Sequence, residues 1–506
     1  MSLSAGLATG LQLVMLPSAN LIVLSTYLVA IVGAGLWFTG KSQSSDEYMA
    51  AGRSLPGWAV GLSMFGSYIS SLSFLGNPGK AYASNWNAFV FSLATPLAAL
   101  IAVRWFVPFY RHTGEVSAYE HLEHRFGRWA RTYATICFLL LQVSRTGSIM
   151  YLMAIAVSPL TGWSVEFTIL ATAALMTFYT LTGGIKAVVW TGVLQSGVLI
   201  AGTALSVAIL LMHTPGGLSE IMRTGAENHK FDLGDFGPSI TEATFWVTFL
   251  FGFVTHLGNF GVDQSFIQRY LTARDDREAR KSIWLTTALY VPMAGIFFLI
   301  GTGLWVFYHS RPELLGSVGA DHVFPHFIAT QLPAGVGGLV VAAIFAASMD
   351  SNLNSMATLT LCDIYRPYIN PAADERQSQR VLYATTVLWG VASVFIALAM
   401  IRSGKNALDA WWKLSGAFSG PILGLFLLGL SCRRATSPVA AFAVTLGVLA
   451  IVWTSPPQWL ALPESLRSNL HANLTMVVAT LTIFLVGWAV AGLRDCFASR
   501  AGKLNS

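Results

Sequence analysis

The chain has 506 residues, of which 54% are hydrophobic and only 11% are charged. Soluble domains carry about 25% charged residues, so this balance excludes an ordinary soluble protein and points to a chain that crosses a membrane many times. The formal net charge of +6 is a topology signal and not a nucleic-acid footprint, because the positive residues gather in alternate loops.

Stretches of about 20 apolar residues suit membrane-crossing helices. Thirteen such stretches occur, near 19–38, 57–77, 87–108, 132–157, 164–182, 187–212, 243–261, 283–308, 335–360, 381–401, 411–431, 437–455 and 473–493. No Lys or Arg precedes the first, and no small-residue cleavage site follows it, so no ordinary signal peptide is expected. One set of connecting segments holds twenty Lys and Arg and the opposite set only seven. Positive residues stay cytoplasmic, so the expected topology places the N-terminus outside and the C-terminus inside, in an inner or plasma membrane. No soluble domain is expected in the tail from Arg494 to Ser506. The four cysteines, Cys137, Cys362, Cys432 and Cys496, form no metal or redox spacing and are expected as free thiols. No P-loop or catalytic motif occurs, which argues against an enzyme and against ATP-driven pumping.

The second apolar stretch, GWAVGLSMFGSYISSLSFLGNPG from Gly57 to Gly79, carries Ser63, Ser67, Tyr68, Ser70, Ser71 and Ser73 in its middle. Gly61, Gly66 and Gly76 interrupt it, and Pro78 is expected to close it. Freed carbonyls are tolerated at membrane depth only where protein or a watery cavity lines them. Unwound carbonyls beside serine hydroxyls would suit a sodium ion or a polar solute. The same small residues would also suit close helix packing.

A second interruption is expected in FWVTFLFGFVTHLGNF, from Phe245 to Phe260, where Thr255, His256, Gly258 and Asn259 cluster. This stretch lies five helices after the first interrupted one, an odd number, so the two enter the membrane from opposite sides. That pattern points to an inverted-repeat transporter. Its expected parts are an N-terminal helix and loop (1–56), a first five-helix repeat (57–212), an external loop (213–242), a second repeat (243–431) and two final helices with the tail (432–506). His256 and Asn259 become candidate solute contacts. Arg145, in LLLQVSRTGSIMYL, is a buried cation whose planar fork suits a carboxylate; an internal ion pair with Asp350 is the other reading.

Four motifs in order carry a family resemblance: EYMAAGRSLPGWAVGLSMFGSYIS (47–70), LTGGIKAVVWTGVLQ (181–195), GVDQSFIQRYLTARDDREAR (261–280) and AAIFAASMDSNLNSMATLTLCDIYR (342–366). Through them the chain resembles the sodium:solute symporter family over nearly its whole length. The resemblance implies an all-α membrane protein with a LeuT-type 5+5 inverted repeat, about 13 transmembrane helices, and Na+ as coupling ion. It also implies a sodium site built from the carbonyls of Gly66, Ile69 and Ile344 and the hydroxyl of Ser348. A neighbouring hydroxyl position, often Ser in the family, is Ala347 here.

Many relatives have Asp where this chain has Gly192. An intramembrane acid is costly and therefore paired or functional, so Asp350, flanked by Ser348 and Ser351, is expected to partner a cation or a neighbouring basic group. Asp350 and Ser351 complete the candidate metal set, with one sodium per cycle. Sialic acid members of the family have Arg at the position of Arg145, facing a hydroxyl-rich break that here offers Ser70, Ser71 and Ser73. Sugar-carrying members use Gln, Glu and Lys at positions that fall on Ser73, Ser92 and Ala288, which argues against glucose or galactose. Asn85, Asn87 and Gln142 are further polar candidates near the site. The expected function is a sodium-coupled importer of a small organic anion, sialic acid first, working as a single chain in the lipid bilayer without nucleic acid. Another solute (a monocarboxylate, pantothenate, proline or a sugar) and a sodium-dependent sensor are the alternatives.

Overall fold

A computed structural model describes residues 18–37, 44–316, 318–349, 352–403, 407–456, 463 and 467–504. It is helical throughout; among the described residues the sole β-type pairing is an isolated bridge between Leu55 and Ala273. The main helices are α1 (Ser18–Trp37), α2 (Gly57–Tyr68), α3 (Ser71–Ala83), α4 (the helical run Trp86–Thr113), α5 (Arg128–Thr161) and α6 (Val165–His213). After a long loop come α7 (Phe245–Gly261), α8 (Gln264–Leu271), α9 (Asp276–Ser310), α10 (Val336–Ser348) and α11 (Asn352–Leu359). The chain ends with α12 (Glu375–Ser403), α13 (Ala407–Ser431), α14 (Ser437–Thr454) and α15 (Leu474–Leu504).

Among the described residues, eight helical spans are long and apolar enough to cross a membrane, two bent pairs bring the total to ten, and three shorter apolar helices accompany them. Each of the thirteen apolar stretches in the sequence falls on one of these. Side-chain oxygens start several of them: Ser164 accepts from the Phe167 amide, Thr244 from that of Val247, and Asp275 from that of Glu278. Each satisfies an amide that the helix leaves without an internal partner. Gly184 breaks α6 into two arms at φ +54°, and a Cβ there would lie 2.8 Å from the Tyr48 backbone. Glycine alone meets both demands.

The two bent pairs are α2–α3, turning by 50°, and α7–α8, turning by 49°. The first break falls at Ile69 and Ser70, inside the stretch the sequence singled out. Pro78 does not close that stretch, because α3 runs through it to Ala83. The second break is displaced from its expected place. α7 passes unbroken through His256, Gly258 and Asn259, and the chain bends only at Val262 and Asp263.

The first broken pair is clasped between long helices: α2 packs on α6 and α9, and α3 packs on α9. The entry to α2 is stitched to the exit of α8, with Leu55 donating to the Thr272 carbonyl (3.0 Å) and Arg274 to that of Leu55 (3.1 Å). Glu278 at the start of α9 accepts the Gly57 amide at 2.6 Å. Asn20 of α1 is 2% exposed and accepts the amides of Gly335 (2.5 Å) and Gly338 (3.0 Å), capping α10 from outside the repeats expected from the sequence. Helix α5 is anchored near its N-terminus by Arg131, which grips fully buried Asp363 through Nε (2.8 Å) and Nη2 (2.6 Å).

Candidate functional site

The last turn of α2 explains why a site forms here. A helix leaves its final carbonyls without internal partners, and here Ile69 (φ −92°, ψ 88°) and Ser70 (φ −90°, ψ 171°) leave helical geometry in the protein interior. The Phe65 carbonyl is still taken by the Ile69 amide at 3.1 Å. The Ser67 carbonyl is taken by Arg145, whose Nη2 donates to it at 3.0 Å. A guanidinium at a helix C-terminus also answers the negative end of the helix dipole.

Around this break lies a cavity of about 140 Å³, lined by Tyr68, Ser70 and Ser73 of the first broken pair and by Gln142 and Arg145 of α5. Thr255, His256 and Asn259 of α7, Asp263 of the second break, Tyr290 of α9 and Ser419 of α13 close the ring. Both broken helices therefore contribute to one chamber. Its apolar wall is aromatic: the Tyr68 ring lies 4.8 Å from Phe266 and 4.9 Å from Tyr290, and His256 lies 4.6 Å from Phe91.

A wider vestibule of about 480 Å³ shares Lys80, Ala88, Phe91 and Phe251 with the chamber and reaches the loops at Gly234, Glu242 and His471. At the far end of the second broken pair the packing is closed. There the buried Gln268 amide donates to the Met49 carbonyl (2.6 Å), to Asn354 (2.9 Å) and to Thr358 (3.1 Å).

Of the six solute candidates, Ser70, Ser73, Arg145, His256 and Asn259 line the chamber. Ser71 does not. It is fully buried, and its hydroxyl donates to the Ile149 carbonyl at 3.1 Å, joining α3 to α5. The helix restarts at Ser71, so Ser71 and Ser73 point about 200° apart around its axis. Asn85 and Asn87 belong to the vestibule, where Asn87 holds the Leu233 carbonyl and the Thr248 hydroxyl. Ser92 lines the chamber with its hydroxyl on that of Tyr290 (3.2 Å).

Of the sodium candidates, Gly66 packs against α6, where a Cβ would lie 2.8 Å from the Ser196 hydroxyl. Ile69 caps α2 and is fully buried. Ile344 and Ser348 are fully buried on α10, which touches α2. The Ser348 hydroxyl donates to the Ile344 carbonyl at 2.7 Å, a bond a serine one turn on commonly makes. Asp350 and Ser351 lie outside the described residues. No group of three His, Cys, Asp or Glu side chains is placed to hold a metal among the described residues. The described candidates Gly66, Ile69, Ile344 and Ser348 offer carbonyl and hydroxyl oxygens, donors that suit a hard monovalent cation.

The sequence reading passed over Asp263. It lines the chamber, accepts the Gln142 amide (2.8 Å) on one oxygen and the Ser265 amide (2.8 Å) on the other. An acid two residues after the glycine that ends an apolar run was the available signal.

Residues 48–447 match the model of the sodium:solute symporter family. The chain is 33% identical over 480 residues to the sodium/sialic acid symporter NanT of Aliivibrio fischeri, covering 93% of this chain and 92% of that protein. It is 32% identical to the sodium/sialic acid symporter SiaT of Proteus mirabilis, covering 94% and 95% respectively. A solved structure of a sodium-coupled sialic acid symporter, substrate-bound and outward-open, superposes with a TM-score of 0.87 at 29% identity, covering 94% of this chain and 98% of that one.

Proposed function

The chain belongs to the sodium:solute symporter family, and we propose that it imports a small organic anion, a sialic acid first, by coupling it to sodium. It is a multi-pass membrane transporter of LeuT-type fold, and its relatives are transporters and not enzymes. The observation that carries the anion reading is Arg145 in the chamber wall, facing the first break with Ser70 and Ser73 beside it. A guanidinium offers a carboxylate two parallel donors, and the serine hydroxyls add more.

In this reading sodium sits on the carbonyls of Gly66, Ile69 and Ile344 and the hydroxyl of Ser348, with Asp350 and Ser351 completing the candidate set. The halves 57–212 and 243–431 rock against each other around the chamber, and one chain is the transport unit. The vestibule opens onto the loop side poor in Lys and Arg, which makes that side external. The described conformation then faces outward, with the Gln268 contacts closing the inner end. One sodium with one monoanion moves no net charge, so uptake follows the sodium gradient and depends little on membrane potential.

Counterflow and gradient-driven uptake of labelled N-acetylneuraminate in proteoliposomes test this reading. Uptake should require a sodium gradient and be lost in Arg145→Gln. Transport of a neutral sugar with no acid carried would overturn it.

A further inference from the structure

Three buried polar atoms of chamber-lining residues, Tyr68 Oη, Gln142 Oε1 and His256 Nδ1, have no hydrogen-bond partner; for the last two a neighbouring contact fixes the chemistry as acceptor. Gln142 is fully buried and directs its amide nitrogen at Asp263 Oδ2, 2.8 Å away. A carboxylate only accepts, so the NH2 end must face it and Oε1 must point elsewhere. That Oε1 is buried and meets no hydrogen-bond donor of the protein. His256 is 1% exposed, with Nε2 lying 3.2 Å from the Phe91 carbonyl. A carbonyl also only accepts, so Nε2 carries the proton. In the neutral ring Nδ1 is then an acceptor, and it too is buried with no protein donor. The rings of Tyr68, Phe91 and Tyr290 pack around this imidazole, where an added proton would be costly.

We infer that Gln142 Oε1 and His256 Nδ1 form an acceptor pair that selects solutes bearing hydroxyl or amide N–H donors in addition to a carboxylate. The inference rests on the proposed reading that this chamber binds an anion at Arg145. Residues that carry donors (Arg145 and Ser70) and residues that carry these acceptors (Gln142 and His256) line the same chamber. A buried acceptor left unmatched carries its full desolvation penalty, and a site built to pair a hydroxyl strongly rejects the analogue lacking it. A bare carboxylate such as propionate can satisfy the donors but leaves both acceptors unmatched. A polyhydroxylated or amide-bearing acid satisfies both sets. Two side chains thus separate hydroxylated acids from simple monocarboxylates inside one chamber.

The test is a thermal-shift titration of the purified full-length protein in sodium with N-acetylneuraminate, gluconate, propionate and glucose. The wild type should respond to at least one hydroxylated acid at a concentration at least tenfold below that for propionate. His256→Phe and Gln142→Met should each weaken that acid about tenfold, leave any propionate response unchanged, and keep the shift produced by sodium alone, which reports folding. Propionate binding as tightly as the hydroxylated acids would overturn the inference while leaving the anion reading intact. So would unaltered acid binding in both variants. Binding of glucose alone would uphold the acceptor pair and sink the carboxylate reading, so the two failures are distinguishable. No response to any of the four, with the sodium shift retained, would overturn both.

Discussion

Arg145 Nη2 donates to the Ser67 carbonyl at 3.0 Å, so the proposed anchor of the solute carboxylate is also the cap of the half-helix proposed to hold sodium. Ser67 lies between Gly66 and Ile69, whose carbonyls are the proposed ligands. A fixed positive charge there opposes the arrival of a second one. At an effective dielectric of about 20, the repulsion between two like unit charges about 8 Å apart is on the order of 2 kcal/mol. A bound carboxylate would relieve it, so anion and sodium should each strengthen the other's binding, reciprocally.

The first prediction follows from this pairing. Arg145→Gln should abolish anion binding yet tighten sodium binding, measured without solute, by about tenfold. Arg145→Lys should keep the wild-type sodium affinity and weaken the anion, because a lysine lacks the planar fork. Sodium titrations by thermal shift read both effects. An Arg145→Gln protein with unchanged or weaker sodium affinity would contradict the coupling.

The second prediction separates three neighbouring serines. Ser70→Ala and Ser73→Ala should each lower solute affinity several-fold, because both side chains line the chamber. Ser71→Ala should leave affinity alone and reduce stability by about 1 kcal/mol, the net worth of one hydrogen bond, because its hydroxyl ties α3 to Ile149. Parallel binding and melting curves decide it. A loss of solute affinity in Ser71→Ala as large as in Ser70→Ala would refute the assignment.

A third prediction concerns stoichiometry. A Cβ on Gly192 would lie 2.6 Å from the Ser63 hydroxyl and 3.1 Å from its Cα, so α2 fills the space that an aspartate at this position would need. Sodium activation of uptake should therefore show a Hill coefficient near one, with a matching one-to-one flux ratio. Gly192→Asp should lower the melting temperature. Two sodium ions per solute would disprove the single-ion reading.

The thirteen apolar stretches were legible because lipid demands long uninterrupted helices. The first break was legible too, since serines and glycines crowd it. The second was misplaced because Gly258 and Asn259 look like helix breakers. Gly258 instead stays helical and faces α13, where an added Cβ would meet the Ser419 hydroxyl at 3.4 Å. Its small size serves packing, and the chain turns later, where Asp263 caps the next helix. Which serine faces the chamber was not readable, because it depends on the residue at which α3 restarts. The acceptors on Gln142 and His256 were equally hidden. Their free atoms are defined by Asp263 and by the Phe91 carbonyl, partners distant in sequence.

Asn20 gives the first helix a duty that its plain apolar sequence conceals. By taking the amides of Gly335 and Gly338, it sets the start of the helix whose other end carries Ile344 and Ser348. Shortening the chain before α2, or fusing a partner tightly against α1, would therefore be felt as weakened ion coupling and not merely as lost bulk at the periphery.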